Sequence, residues 1–298
     1  MRYINEHAPD TEIRVLDDLS TGYRANLEST RMTLFEGSIL NLDLLAKVAD
    51  GVDSIVHLAA IPSVPRSVDA PRPSHEANAT GTLNVLETAR AQTIDHVVVA
   101  SSSSVYGSNP NTPKNEFDWT RPMSPYAVSK QATEGYALAY GFSYGMKTLA
   151  FRFFNVYGPM QAAGHAYAAV IPKFLEFAMA GEPLLIHGDG TQFRDFTFVE
   201  TVCAVIFEAV QKKTWSRDPV NLAFGTNTSL LELIEMIEEI IGRPLTRRHD
   251  SPRLGDVLAS QADGQRVRQL FPDTSHTSLR DGLVRTARWF EEAHSHTA

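Results

Sequence analysis

The chain of 298 residues is 43% hydrophobic and 21% charged, the composition of an ordinary soluble globule with room for one large domain or for a domain and a smaller lobe. Its net charge of −8 argues against a phosphate-backbone binder but leaves a small anionic ligand open, because local arginines decide that. A single cysteine rules out an intrachain disulfide and a cysteine-held metal.

Met1–Glu12 lacks the apolar core of a secretion signal, and no apolar run anywhere approaches the ~18 residues of a membrane span. With so little cysteine, a reducing, cytoplasmic setting is expected. Met1–Ala8 reads as the end of a helix, stopped by Pro9-Asp10. Glu12–Asp17 reads as a strand, and Met32–Glu36 as a weaker one. Asn41–Asp50 repeats leucine at helical spacing. Asp53–Leu58 is expected as a buried strand, and Ser74–Ala91 as a helix with Leu83, Val85 and Leu86 on its apolar side. His96–Ser101 is another strand, Pro125–Tyr144 a long helix, and Lys147–Phe153 a strand. This alternation predicts an α/β fold: a doubly wound, Rossmann-like parallel sheet covered on both faces.

From about Asn155 the pattern loosens. Helices at Ala168–Ala180, Glu200–Lys212 and Leu230–Ile241 are joined by short strands such as Leu184–His187 and Val220–Leu222. Turn signals cluster at Gly188-Asp189-Gly190 and Pro252–Gly255. Residues 156–298 are therefore expected to form mainly a smaller α/β lobe beside a first domain over 1–155, with chain excursions between the two. Cys203, in the apolar run Thr201–Ile206, is expected as a buried structural thiol. Ligands of open α/β sheets sit at the carboxyl ends of the strands, so the chemistry belongs there.

A doubly wound nucleotide fold opens with a strand, a glycine-rich turn and a helix, whose backbone amides hold a pyrophosphate. Here the first glycine is Gly22, and Met1–Ala8 resembles the last turns of that helix, so the first strand is expected to be missing. Two explanations stay open: a start set at an internal methionine or a truncation, or a natural short form with weakened dinucleotide binding.

Asp17 ends the strand Glu12–Asp17, the second of such a fold, and is followed by Asp18-Leu19-Ser20-Thr21-Gly22. An acidic residue there accepts hydrogen bonds from ribose hydroxyls and favours NAD over a 2′-phosphorylated cofactor; taken alone, it reads better as a strand-end aspartate in a turn. Tyr126 and Lys130 lie four apart at the start of the long helix, on one face, after Ser124-Pro125. A free tyrosine has a pKa of about 10. A nearby ammonium and the charge of NAD⁺ are expected to lower it, making Tyr126 a general base. A lone YxxxK occurs often by chance as a surface pair. Here the strand His96–Ser101 also runs into Ser102-Ser103-Ser104, where Ser102 is placed to share a proton with Tyr126; by itself this is a serine-rich loop.

Seven stretches then occur together: HLAAIPSVPRSV at 57–68, SSSSVYG at 101–107, SPYAVSK at 124–130, FRFFNVYGP at 151–159, AYAAVIPK at 166–173, HGDGTQFRDFTFVE at 187–200 and PRLGDV at 252–257. In order and spacing the chain resembles the extended short-chain dehydrogenases/reductases that act on nucleotide sugars, over nearly its whole length. The resemblance implies Ser102, Tyr126 and Lys130 as the catalytic triad and NAD as cofactor. It implies an adenosine-ribose site at Asp17 and Asp18 with Ser20, Thr21 and Gly22. It puts Leu58, Ala59 and Ala60 along the cofactor, with Asn78 and Ala100 beside them. Ser38, next to Ile39, stands where an aspartate usually holds adenine, and Phe153 where a tyrosine usually neighbours the nicotinamide. Asn155, Val170, His187, Arg194, Arg253 and Asp256 match the nucleotide-diphosphate pocket; a guanidinium suits a diphosphate, although either arginine alone reads as a surface salt bridge.

The related 4,6-dehydratases need an acid and a base just after the catalytic hydroxyl, and the related decarboxylases a glutamate at position 104. Here Ser103-Ser104 occupy those positions, which leaves 4-epimerisation of a UDP-hexose through a 4-keto sugar. Ser260 resembles the small residue of epimerases that accept N-acetylated sugars, implying UDP-GlcNAc/UDP-GalNAc beside UDP-Glc/UDP-Gal. The helices Asn78–Arg90 and Tyr126–Tyr144, with Tyr136 and Tyr140 exposed, are expected to form a homodimer through a four-helix packing. Two other readings stay open: a different epimerase or 4-reductase of nucleotide sugars, and a non-catalytic binding remnant without the dinucleotide loop.

Overall fold

A computed structural model describes residues 1–164, 168–251 and 259–295. In chain order the elements are α1 (Arg2–His7), β1 (Arg14–Asp17), β2 (Thr33–Glu36), α2 (Leu42–Ala49), β3 (Ile55–His57), α3 (Val64–Asp69), α4 (Pro71–His75), α5 (Gly81–Ala91), β4 (His96–Ser102), α6 (Pro125–Tyr144), β5 (Lys147–Phe153) and β6 (Asn155–Tyr157). They continue with α7 (Val170–Ala180), β7 (Leu184–His187), β8 (Phe193–Arg194), β9 (Phe196–Phe198), α8 (Val199–Gln211), β10 (Val220–Leu222), β11 (Thr228–Ser229), α9 (Leu230–Ile241), β12 (Arg247–Asp250), β13 (Ala259–Ser260), α10 (Gln265–Leu270) and α11 (Leu279–Ser295). The chain divides into two compact units. One holds Met1–Gly107, Trp119–Arg152 and Cys203–Val220; the other holds Ser108–Asp118, Phe153–Val202 and Asn221–Ala298.

β3, β4, β5 and β10 form one sheet in that order, while β1 and β2 pair separately, in parallel. β4 is buried on both of its side-chain rows until its last residue, as a parallel strand inside a sheet requires. Its Val97 and Val99 share a core with Leu86 and Ala89 of α5 and Ala137 and Tyr140 of α6. Leu16 of β1 and Ile55 of β3 both pack on Ile39, Leu45 and Val85, so an apolar cluster rather than a hydrogen-bonded ladder joins β1 to β3. β3 is accordingly less buried than its sequence suggests: as an edge strand it leaves Ile55 and Val56 half-buried. Two further expectations are corrected. The helix expected over Ser74–Ala91 is α4, a π-helical turn over Glu76–Thr80, and α5. Cys203 is half-buried, because Val202 and Val205 take the core-facing positions of α8.

The core of the second unit joins Ile171, Phe174 and Leu175 of α7, Leu184 and Ile186 of β7, Leu233, Ile234 and Ile237 of α9, and Leu283 of α11. Each such side chain, fully buried, contributes about 1.5–3 kcal/mol. Its strands make small ladders: β6 with β9, β7 with β12, and β8 between β11 and β13. α9 starts at a capping box, Ser229 with Glu232, and ends at Gly242 with φ 77°. Among the described residues no helix is long and apolar enough to cross a membrane.

Candidate active site

Two elements of the first unit, β4 and α6, carry Ser102, Tyr126 and Lys130. β4 carries Ser102 at its carboxyl end, where the chain enters a short 3₁₀ turn, Ser103–Tyr106. Gly107 closes that turn at φ 51°, and a Cβ there would run into the Arg121 carbonyl oxygen, so only glycine fits. α6 begins at Ser124, whose Oγ accepts the Ala127 N–H at 3.1 Å, with Pro125 in the first turn. The Tyr126 N–H, one of the unpaired donors of that turn, donates to Ser67 Oγ of α3 at 3.0 Å. One turn on, Lys130 is buried and its Nζ donates to the Ala100 carbonyl of β4 at 2.8 Å.

The electrostatics differ from the expectation of an ammonium-lowered phenol. Burial pushes Tyr126 above its ordinary value, and a hydrogen bond from Ser102 works in the opposite direction. Lys130 directs its ammonium to Ala100, and burial pulls it down to about 8. The side chain that favours the phenolate is therefore the Ser102 hydroxyl. Ser102 Oγ in turn accepts from the Ser104 N–H at 3.2 Å and from Ser104 Oγ at 2.9 Å.

A buried ion pair holds α6 against the sheet. Arg152 of β5 donates to both oxygens of Glu134, at 2.6 and 2.9 Å, and Ser101 Oγ adds a third bond at 2.8 Å. The Arg152 guanidinium also lies over the Tyr106 ring, 4.6 Å from its centroid. A second network holds the segment after β3. Asn78 turns inward from the π-helical turn, fully buried. It accepts the Ile61 N–H at 2.8 Å and donates to the Ile61 carbonyl at 3.2 Å and to Ser129 Oγ at 2.9 Å. Thr82 and Thr133 donate to its carbonyl, and Thr82 Oγ1 meets His57 Nε2 at 2.9 Å. Burial, with Lys130 nearby, pulls His57 down to about 3, so it is a neutral structural ring. Asn78 thus acts through the Leu58–Ile61 segment, of which Leu58 is 52% exposed and apolar.

At the carboxyl end of β1, Asp17 and Asp18 are exposed. One oxygen of Asp17 accepts the Leu19 N–H, and one of Asp18 accepts the Ser20 N–H and Oγ. Their second oxygens accept no hydrogen bond among the described residues and suit the two hydroxyls of a ribose. Thr21 and Gly22 follow in the same exposed loop. Ser38 Oγ accepts the Leu40 N–H at 3.2 Å, and Ile39 belongs to the cluster under β1. The carboxylates of Asp17 and Asp18 fit the ribose of an NAD molecule, and the exposed apolar side chain of Leu58 fits its flank.

The second unit gathers other expected residues around Asp195. Asn155 N and Nδ2 both donate to the Asp195 carbonyl, at 3.2 and 3.1 Å, and Asp195 N donates to the Ser260 carbonyl at 2.7 Å. Ser260 lies opposite Arg194 in the β13–β8 pair. The Asp195 carboxylate, fully buried and raised in pKa by that burial, accepts from Gly225 N, Ala262 N and Thr226 Oγ1. His187 ends β7, Val170 starts α7 and Phe153 ends β5. Arg253 and Asp256 lie outside the described residues. Sequence reasoning missed Ser67, Glu134, Arg152 and Asp195. Glu134 is one turn beyond Lys130, and Arg152 is a charge inside the apolar run Leu149–Phe154, both signs of a buried partner. Tyr140, expected to be exposed, is buried with its hydroxyl donated to Glu87.

Residues 1–223 match the family described as NAD dependent epimerase/dehydratase. A UDP-glucose 4-epimerase of Mycolicibacterium smegmatis is 34% identical, covering 92% of this chain and 89% of the relative. Among solved structures, a UDP-N-acetylglucosamine 4-epimerase from Methanobrevibacter ruminantium, in complex with UDP-N-acetylmuramic acid, superposes with TM-score 0.92 at 31% identity, covering 98% of this chain and 94% of that one. A UDP-glucuronic acid 4-epimerase from Bacillus cereus, with UDP-glucuronic acid and NAD, gives TM-score 0.87 at 27% identity, covering 97% and 93%.

Proposed function

The chain belongs to the NAD-dependent epimerase/dehydratase family, and from that premise we propose that it inverts C4 of a UDP-hexose through a transient 4-keto sugar. The observation that supports the reading is the hydrogen bond of Ser102 with Tyr126, with Lys130 one turn on along α6 and no carboxylate at positions 103 or 104. Elimination and decarboxylation lack their proton carriers there. Epimerisation needs only one group that takes the 4-hydroxyl proton and gives it back.

When bound, NAD supplies reversible two-electron oxidation at C4 and a positive charge beside the phenol. Asp17 and Asp18 hold its ribose, and Leu58, Ala59 and Ala60 line it. Tyr126 Oη takes the proton of the 4-hydroxyl and returns it to the keto oxygen. Ser102 donates its one proton in a hydrogen bond to the phenolate. Lys130, tied to Ala100, keeps its charge on the Tyr126 face of α6. Arg194 and Asn155 of the second unit, with Arg253, bind the diphosphate. The small side chain of Ser260 leaves room for an acetamido group, so UDP-GlcNAc/UDP-GalNAc are the favoured pair, with UDP-Glc/UDP-Gal also accepted.

The partner is a second copy of the chain. Val128, Gly135, Tyr136, Ala139 and Phe142 leave one apolar face of α6 exposed, the kind of surface a helix packing covers. A cytoplasmic setting goes with the near absence of cysteine. The test is Tyr126→Phe: turnover is lost while calorimetric binding of UDP persists. Turnover that survives the change rejects the assignment. UDP-glucuronate is assayed beside the other sugars, and a preference for it rejects the acetamido reading.

A further inference from the structure

A hydroxyl oxygen offers two lone pairs and one proton. Both lone pairs of Ser102 Oγ are taken from the same residue: the Ser104 N–H reaches it at 3.2 Å and the Ser104 hydroxyl at 2.9 Å. The 3₁₀ turn, closed by glycine at φ 51°, holds residue 104 over residue 102 in this arrangement. With its acceptor sites filled, Ser102 has only its proton left to offer. We propose that Ser104 is a positioning residue that fixes Ser102 as an obligate hydrogen-bond donor, its single proton aimed at the Tyr126 oxygen.

The inference rests on the catalytic reading above and deepens it. A serine free to rotate alternates between donating to the phenolate and accepting from the phenol, and only the first state favours the proton transfer. The hydrogen bond from Ser102 is the one contact that opposes the upward push of burial on Tyr126, so anything that frees the rotor weakens the base. The backbone N–H of residue 104 is present whatever its side chain; the second acceptor site depends on the hydroxyl alone. Removing that hydroxyl opens one lone pair, and threonine fills it again.

The charged and titratable side chains on the elements around Tyr126 are Lys130, Glu134, Tyr136, Tyr140 and Tyr144 on its own helix, His57 at the end of β3, His96 on β4 and Tyr106 after it, Lys147 and Arg152 on β5, Arg66 and Asp69 on α3, and Arg72, His75 and Glu76 in α4 and the turn after it. Ser104→Ala alters none of them, so a moved titration reports the hydroxyl contact itself.

The experiment compares the full chain with its Ser104→Ala and Ser104→Thr variants, assayed with NAD⁺ and UDP-GlcNAc across pH. Ser104→Ala is expected to lower kcat about three- to tenfold at neutral pH, the weight of one hydrogen bond, with KM little changed. The acid limb of its pH profile moves upward, the rate recovers at alkaline pH, and Ser104→Thr restores the original profile. A uniform loss at every pH, or an alanine variant identical to the parent, overturns the proposal. A second reading needs no turnover: ultraviolet difference titration of tyrosinate, each protein against its own Tyr126→Phe partner. The Tyr126 phenolate titrates higher in Ser104→Ala than in the parent if Ser104 acts as stated, and at the same pH if it does not. Loss of the catalytic reading, seen as turnover in Tyr126→Phe, is thereby distinguished from loss of this inference.

Discussion

Replacing Arg152 with methionine strands the Glu134 carboxylate inside the first unit. The side chains of the pair are 4% and 7% exposed, joined by two parallel bonds of 2.6 and 2.9 Å. Without the guanidinium, Glu134 keeps only the Ser101 hydroxyl, too little to compensate a charge removed from water. Breaking a pair of this kind costs about 3–5 kcal/mol, a large share of the ~5–15 kcal/mol that holds a folded protein together. At roughly 2–4 °C per kcal/mol for a unit of this size, the first transition in calorimetry should fall by about 6–20 °C. Glu134→Leu, which strands the arginine, should behave alike. The double variant Glu134→Leu/Arg152→Met, with no buried charge left, should regain most of the loss, because well-packed apolar replacements of buried pairs are often neutral. Single variants that cost less than ~1 kcal/mol, or a double variant as unstable as the worse single one, would refute the reasoning. Because α6 also carries Tyr126 and Lys130, the single variants should lose turnover at temperatures where they remain folded.

Three other outcomes follow from the same contacts. His57 holds a folded pKa of about 3 against 6.5 in the unfolded chain. The unfolded chain therefore binds the extra proton, and stability falls as pH drops from about 6.5 to about 3. In His57→Gln that slope should flatten in acid denaturation curves, and an unchanged slope assigns it elsewhere. Gly107→Ala forces a Cβ against the Arg121 carbonyl at a positive φ, so it should unsettle the Ser102 turn and reduce turnover at least tenfold, read against retained secondary structure by circular dichroism. Asp195→Asn leaves a single acceptor oxygen for the three donors that the carboxylate now accepts, Gly225 N, Ala262 N and the Thr226 hydroxyl. It should raise KM for the UDP-sugar severalfold while leaving NAD affinity intact, and a shift in NAD affinity alone would contradict it.

Most regular elements are legible in the sequence because their periods are long or their ends are marked. Ser124-Pro125 and Gly145 delimit α6, and the run Val97–Val99 can only be an inner strand. The strands β6, β8, β11 and β13 are too short, at two or three residues, to show a period of two. The π-helical turn at Asn78 follows from a tertiary demand, the pairing with Ile61, which no local pattern records. At the site, the spacing of Tyr126 and Lys130 was readable, but the direction of the Lys130 ammonium was not. It depends on the Ala100 carbonyl, 30 residues away in the sequence. Likewise, Ser104 gains its meaning only once the 3₁₀ turn folds it over Ser102.

The account stands most directly on the fate of one hydrogen. UDP-GlcNAc deuterated at C4, incubated with the full chain and NAD⁺, should yield UDP-GalNAc with the deuterium still on C4, as followed by proton and deuterium NMR. Loss of the label to water, accumulation of a keto or dehydrated sugar, or no axial product at all would contradict it.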